Sequence, residues 1–146
     1  MGPERLRVKI FTDGGARGNP GPAACGYVLI DAEDDQTLQE AGHFLGRATN
    51  NVAEYEALVR ALTAAADLRA AEAEIYSDSE LLVRQMNGDY RVKNAGLKCL
   101  HERARRLEEH FDRVQYTHVR REHNERADRL VNRAINRKQD VFDAEE

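Results

Sequence analysis

The spacing of apolar residues changes period near residue 50, and this change constrains the fold more than any other feature of the chain. Before it, Leu6, Val8 and Ile10 alternate with Arg7 and Lys9 and lead into Phe11, the two-residue period of a half-buried strand that ends at the loop Asp13-Gly14-Gly15. A second apolar strand is expected over 24–30 and a third over about 37–45, with the acidic stretch 31–35 as the turn between them. After it, Tyr55, Leu58, Val59, Leu62, Ala65 and Ala66 fall on one helical stripe that begins near Asn51.

The remainder alternates. Glu74 to Tyr76 reads as a short strand before Asp78, Leu81 to Met86 as a helix closed by Asn87-Gly88, and about 95–110 as a further helix. A strand over 114–119 follows. The last helix starts near Asn124 and sets Ala127, Leu130, Val131, Ala134 and Ile135 on one face. The order β-β-β-α-β-α-α-β-α defines an α/β fold: a five-stranded mixed sheet, made of a three-strand antiparallel meander plus two parallel strands, flanked by helices.

At 146 residues and 41% hydrophobic content the chain has room for one domain with a real core, expected over residues 1–137. Residues 138–146 read as an acidic, disordered tail. Charged residues make up 33%, the mean hydropathy is -0.71, and Met1 to Val8 holds no apolar run of the secretory kind, so a cytoplasmic address and no membrane partner are expected. Cys25 and Cys99 lack metal-site spacing and are expected to be buried small apolar residues. The net charge of -4 argues against non-specific grip on phosphates, but the tail carries Asp140, Asp143, Glu145 and Glu146, and without these four the formal charge is 0.

Four carboxylates stand out, although each has a plain structural reading. Asp13 before two glycines suits a turn, and Asp78 suits a helix N-cap. Glu54 lies three residues after Asn51, which is capping-box spacing. Asp128 borders the apolar stripe of the last helix, so its exposure stays open. Together they mean more. The topology brings two strand ends and two helix first turns to one edge of the sheet, where acids without intervening bases repel one another until a hard divalent cation such as Mg²⁺ or Mn²⁺ relieves them. A pair of such ions is suited to in-line attack on a phosphodiester.

The segments Ile10-Phe11-Thr12-Asp13-Gly14-Gly15, Gly18-Asn19-Pro20-Gly21-Pro22, Thr49-Asn50-Asn51-Val52-Ala53-Glu54, Ser77-Asp78-Ser79 and Asn124-Glu125-Arg126-Ala127-Asp128 resemble, in this order, the motif series of the ribonuclease H type I family. The resemblance spans about residues 5 to 136. It implies a ribonuclease H-like fold and hydrolysis of the RNA strand of RNA–DNA hybrids by a two-metal-ion mechanism, leaving 5′-phosphate and 3′-hydroxyl ends. It also implies that Asp13, Glu54, Asp78 and Asp128 are both the catalytic residues and the ligands of two Mg²⁺ ions, with Mn²⁺ as a substitute. Gly14, Gly15, Asn19, Thr49, Asn50, Asn51, Ser79 and Asn94 match substrate-contacting positions, the partner is the RNA–DNA hybrid, and the expected state is a monomer.

Three features depart from the family pattern. The segment 87–94 is short where several members carry a basic insertion, and Glu80 stands where glutamine is common. Between Arg120 and Asn124 the chain is compact, so His123 does not align with the product-releasing histidine of many members. His123 as a proton shuttle, with Glu122 sharing the role, therefore stands open against an ordinary loop residue. Other readings weighed here are a different nuclease or integrase of the same superfamily, a catalytically silent hybrid-binding module, and the nuclease domain of a larger bifunctional protein. The full set of carboxylates and the segments at Asn19 and Thr49 favour the ribonuclease.

Overall fold

The computed structural model describes residues 5–143; residues 1–4 and 144–146 lie outside it. Its elements are β1 (Arg7–Ala16), β2 (Gly21–Asp31), β3 (Thr37–Ala48), α1 (Asn50–Asp67), β4 (Glu72–Ser77), α2 (Glu80–Met86), α3 (Ala95–Glu108), β5 (Arg113–His118) and α4 (Glu125–Arg137), with one 3-10 turn at Arg121–His123. The expected order holds throughout. The five strands form one sheet in the order β3-β2-β1-β4-β5; β1 pairs antiparallel with β2 and parallel with β4, and β5 runs parallel to β4.

Helices cover both faces, because alternate residues of the central strands point opposite ways. Val8, Ile10, Leu29 and Ile75 pack with Leu58 and Leu62 of α1 and with Leu97 and Leu100 of α3. On the other side Ala24 and Val28, bordered by Phe11 and Ile30, pack with Leu130, Val131, Ala134 and Ile135 of α4. Among the described residues no helix is long and apolar enough to cross a membrane.

Four expectations are corrected. The first strand does not end at a loop: Asp13, Gly14, Gly15 and Ala16 continue the ladder with β2, opposite Gly26, Cys25, Ala24 and Ala23. The parallel pairing with β4 stops earlier, at Thr12 with Ser77, so β1 outruns its parallel neighbour. Helix α1 is capped by Thr49, whose Oγ1 accepts the Val52 amide at 3.2 Å, so Asn51 already lies inside the helix and no capping box reaches Glu54.

Cys25 is buried as expected, but Cys99 is exposed on the outer side of α3. Residues 138–143 are ordered on the body of the domain. Val141, 4% exposed, exchanges backbone hydrogen bonds with Gly42 of β3 at 2.7 and 2.8 Å, and Asp140 accepts the Phe44 amide at 3.0 Å. The acidic composition concealed one apolar anchor, and the part of the expected tail at 144–146 lies outside the described residues.

Candidate active site

Asp13 sits in β1 one residue beyond Thr12, and Asp78 one residue beyond Ser77; since Thr12 and Ser77 are register partners, the two acids leave the parallel pair at the same level. Asp78 is held by a small turn. Ser77 Oγ accepts the Ser79 amide at 3.0 Å, and Ser79 Oγ in turn caps α2 through the Leu82 amide at 3.2 Å. This gives Ser79, not Asp78, the N-cap role.

Glu54 comes from the first turns of α1, which lies very close to β1. A methyl group on Gly14 would fall 2.3 Å from the Ala53 carbonyl carbon and 2.4 Å from the Glu54 nitrogen, so glycine is what allows the approach. The Gly14 amide donates to Glu54 Oε1 at 3.0 Å. A second close approach brings in the last helix. Gly26, the partner of Asp13 across the β1–β2 ladder, would place a Cβ 2.9 Å from the Ala127 oxygen, and the next residue along is Asp128.

Carboxylate oxygens of Asp13, Glu54 and Asp78 gather within 4.8 Å of one another. Asp13 is 7% exposed and Glu54 9%. Burial raises the proton affinity of Asp13 first, and the charges of Glu54, Asp78 and Asp128 raise it further. For Glu54 burial again leads, followed by Asp78, with the Gly14 amide opposing. Asp78 is raised by burial and partly relieved by Arg121. Asp128 stands at the rim, with its Oδ1 3.9 Å from Arg121 Nη2. The structure thus gathers three of the four expected carboxylates at one point and sets the fourth beside them.

The acids form part of the wall of an open cavity of about 660 Å³, together with Gly14, Gly15, Asn50, Asn51 and Ser79. Asn19 and Thr49 lie just behind this lining. Asn19 Oδ1 accepts the Asn50 amide at 3.0 Å, and Asn50 Oδ1 accepts the Ala16 amide at 2.8 Å. Both oxygens are engaged in fixing the loop to β1, and the Nδ2 donors remain for a ligand. Asn94 caps α3 through the Gly96 and Leu97 amides, away from this cavity.

His123 is not in the cavity wall either. It lines a smaller depression of about 280 Å³ with Phe11, Val28 and Ile30, over the sheet face that carries α4. The residues of that segment that do line this cavity are Arg120 and Arg121, the latter beside Asp128, with His118 at the end of β5 and Arg17 and Asn132 also in the wall. A basic pair before the last helix was visible in the sequence, but nothing in its spacing told which side chain turns inward. Asn124 was likewise quoted only as part of a motif. It is fully buried, and its Nδ2 donates to the Thr12 oxygen at 2.8 Å.

The set is suited to a hard cation. All the donors are carboxylate oxygens, and Glu54 Oε2 is buried with no hydrogen-bond partner. A divalent ion held by Asp13, Glu54 and Asp78 would satisfy that oxygen and offset the repulsion at once.

Comparison with known proteins agrees with this arrangement. Residues 11–134 match the family model described as reverse transcriptase-like. A bifunctional protein of Mycobacterium tuberculosis is 45% identical over 130 residues, covering 89% of this chain and 36% of that protein. The structure of its N-terminal RNase H domain, as a fusion with maltose binding protein, superposes with a TM-score of 0.88 over 90% of this chain and 95% of that one. Ribonuclease HI of Halobacterium salinarum is 46% identical over 129 residues, covering 88% of this chain and 64% of that protein, and its structure gives a TM-score of 0.86. This chain therefore spans about a third of the mycobacterial relative and less than two thirds of the archaeal one. LC11-RNase H1, solved in complex with an RNA/DNA hybrid, is 45% identical with a TM-score of 0.82 over 90% of this chain and 98% of that one. Strand order, placement of the acidic motifs and these likenesses put the chain in the ribonuclease H type I family.

Proposed function

We propose that this chain is an endoribonuclease that hydrolyses the RNA strand of RNA–DNA hybrids, with Asp13, Glu54, Asp78 and Asp128 holding a pair of Mg²⁺ ions for which Mn²⁺ can substitute. The observation that carries this reading is the cluster of buried Asp13 and Glu54 with half-buried Asp78, carboxylates without a base among them, at the wall of an open cavity. Cations bound there supply Lewis acidity for phosphodiester hydrolysis to 5′-phosphate and 3′-hydroxyl products.

The protein's own part is placement. Asn50, tied to β1 through the Ala16 amide, Asn19, tied in turn to the Asn50 amide, and Asn51 beside them offer neutral donors to a nucleic-acid backbone. Gly15 leaves its stretch of the wall without a side chain, so a sugar edge can come close to the backbone, and the 2′-hydroxyl is the group that distinguishes RNA there. Arg120 and Arg121 add positive charge at the rim, which favours a phosphate chain there. The hybrid complex of LC11-RNase H1 supports the choice of substrate.

The test is to offer the purified protein four labelled substrates with Mg²⁺ or Mn²⁺: RNA–DNA hybrid, single-stranded RNA, double-stranded RNA and double-stranded DNA. Only the hybrid's RNA strand should be cut. Cleavage of the DNA duplex, or an intact hybrid, overturns the reading.

A further inference from the structure

Asn124 occupies the N-cap position of α4, where an asparagine side chain ordinarily accepts a hydrogen bond from the first free amides of its helix. It does not do so here: no side-chain cap bond is made. The side chain turns instead into the domain, 1% exposed, and its Nδ2 donates to the Thr12 oxygen, 112 positions away in sequence. A local stabilising bond has been exchanged for a long-range one. The exchange calls for a reason beyond the helix.

We propose that Asn124 is a positioning residue that fixes Asp13, Asp78 and Asp128 relative to one another for cation binding. The inference rests on the nuclease reading above and extends it to a residue that itself holds no ion. Two contacts support it. The bond to the Thr12 oxygen immobilises the peptide that leads into Asp13. The Asp128 amide donates to the Asn124 backbone oxygen at 3.1 Å, so the turn that carries Asp128 is built on the same residue.

The orientation of this amide is decided by its surroundings. Turned over, it would set Oδ1 against the Thr12 carbonyl, oxygen against oxygen, while as placed Nδ2 has an acceptor and Oδ1 lies buried without a donor. Keeping a buried amide half satisfied is unfavourable by itself. A hydrophobic residue of similar size would fill the space but could not hold the Thr12 oxygen. Thr12 and Ser77 are partners across the two strands, so an anchor on Thr12 also fixes the level at which Asp13 and Asp78 emerge.

The experiment compares the parent protein with Asn124→Ala and Asn124→Ser. Mg²⁺ and Mn²⁺ affinities are measured by isothermal titration calorimetry without substrate, and kcat and KM on the hybrid, all well below the melting temperature of each variant. Loss of groups that orient metal ligands typically weakens affinity or activity about 10–100-fold. Both variants should weaken cation affinity by about 10-fold or more and lower kcat in parallel, with excess cation restoring part of kcat and KM on the hybrid within roughly threefold of the parent. Cation affinity and kcat within about twofold of the parent in a folded variant overturn the proposal, and so does a rise in KM alone. If Asn124→Ala melts too low to assay, Asn124→Ser, which keeps a small polar side chain, decides between the same outcomes. Failure of the nuclease reading looks different, because the parent itself would then neither bind the cation nor cut the hybrid.

Discussion

Gly14 and Glu54 are joined by a 3.0 Å hydrogen bond from the backbone amide of one to the carboxylate of the other, at a place where strand and helix are too close to admit a β-carbon. The carboxylate is therefore set by main-chain packing, not by a flexible side chain reaching across a gap.

Gly14→Ala is the direct probe of that contact. A methyl group 2.3 Å from the Ala53 carbonyl carbon forces α1 away from β1, and overpacking against main chain that cannot yield is expected to destabilise by about 1–3 kcal/mol or more. Thermal melting and cation titration should both show the loss. A variant with parental melting temperature and cation affinity would mean that the helix has room to move.

Asp13→Asn should abolish turnover yet leave a folded, more stable cation-free protein. It removes a buried acid whose ionisation is opposed by burial and by Glu54, Asp78 and Asp128, while keeping the shape. Melting in EDTA near neutral pH is expected to rise by about 1 kcal/mol or more, which for a domain of this size is roughly 2–8 °C. Retained turnover would show that Asp13 is not a ligand.

The same burial predicts an unusual pH dependence without cation. An unfolded carboxylate titrates near 4. Asp13, Glu54 and Asp78 all titrate higher in the folded protein, so the folded state binds more protons than the unfolded one between those limits. Stability contributed by these groups is greatest below about pH 4 and is lost as pH rises toward the folded values. In EDTA the melting temperature should fall from about pH 5 to about pH 8, and saturating Mg²⁺ should reverse most of that fall. Equal slopes with and without cation would argue against a coupled acid cluster.

The order of the elements, the helix faces and the convergence of Asp13, Glu54 and Asp78 were legible in the sequence, because hydrophobic period and motif order carry that information directly. The supports of the site were not. Gly14 and Gly15 looked like a turn and are ladder residues, since glycine marks close approach as readily as a bend. Thr49 took the capping role assigned to Asn51, leaving Glu54 free to face β1. His123 and Arg121 are two residues apart, and only the short 3-10 turn decides which of them reaches the acids.

His123→Ala accordingly should change kcat by less than about threefold at neutral pH, because the imidazole lies over Phe11, Val28 and Ile30 instead of the carboxylates. Steady-state cleavage of the hybrid measures it. A loss as deep as that of Asp13→Asn would restore His123 to the chemistry.

Val141→Ala tests the ordered end of the chain. The side chain is 4% exposed and packs on Leu130 and Ile135, so its truncation is expected to lower stability by roughly 1–2 kcal/mol while kcat of the folded protein is unchanged. Denaturant unfolding gives the first quantity and hybrid cleavage the second. No loss of stability would mean that residues 138–143 hold on by the contacts of the Asp140 carboxylate with Phe44 and His43 and by the Gly42 backbone bonds.

The pairing of Thr12 with Ser77 carries a consequence for how the site comes into being. A slip of one residue between β1 and β4 would turn every apolar side chain of one strand to the wrong face, which the two-sided core forbids. The separation of Asp13 and Asp78 is therefore inherited from strand alignment, and a chain that has closed its sheet correctly has already measured out the distance between its two central acids.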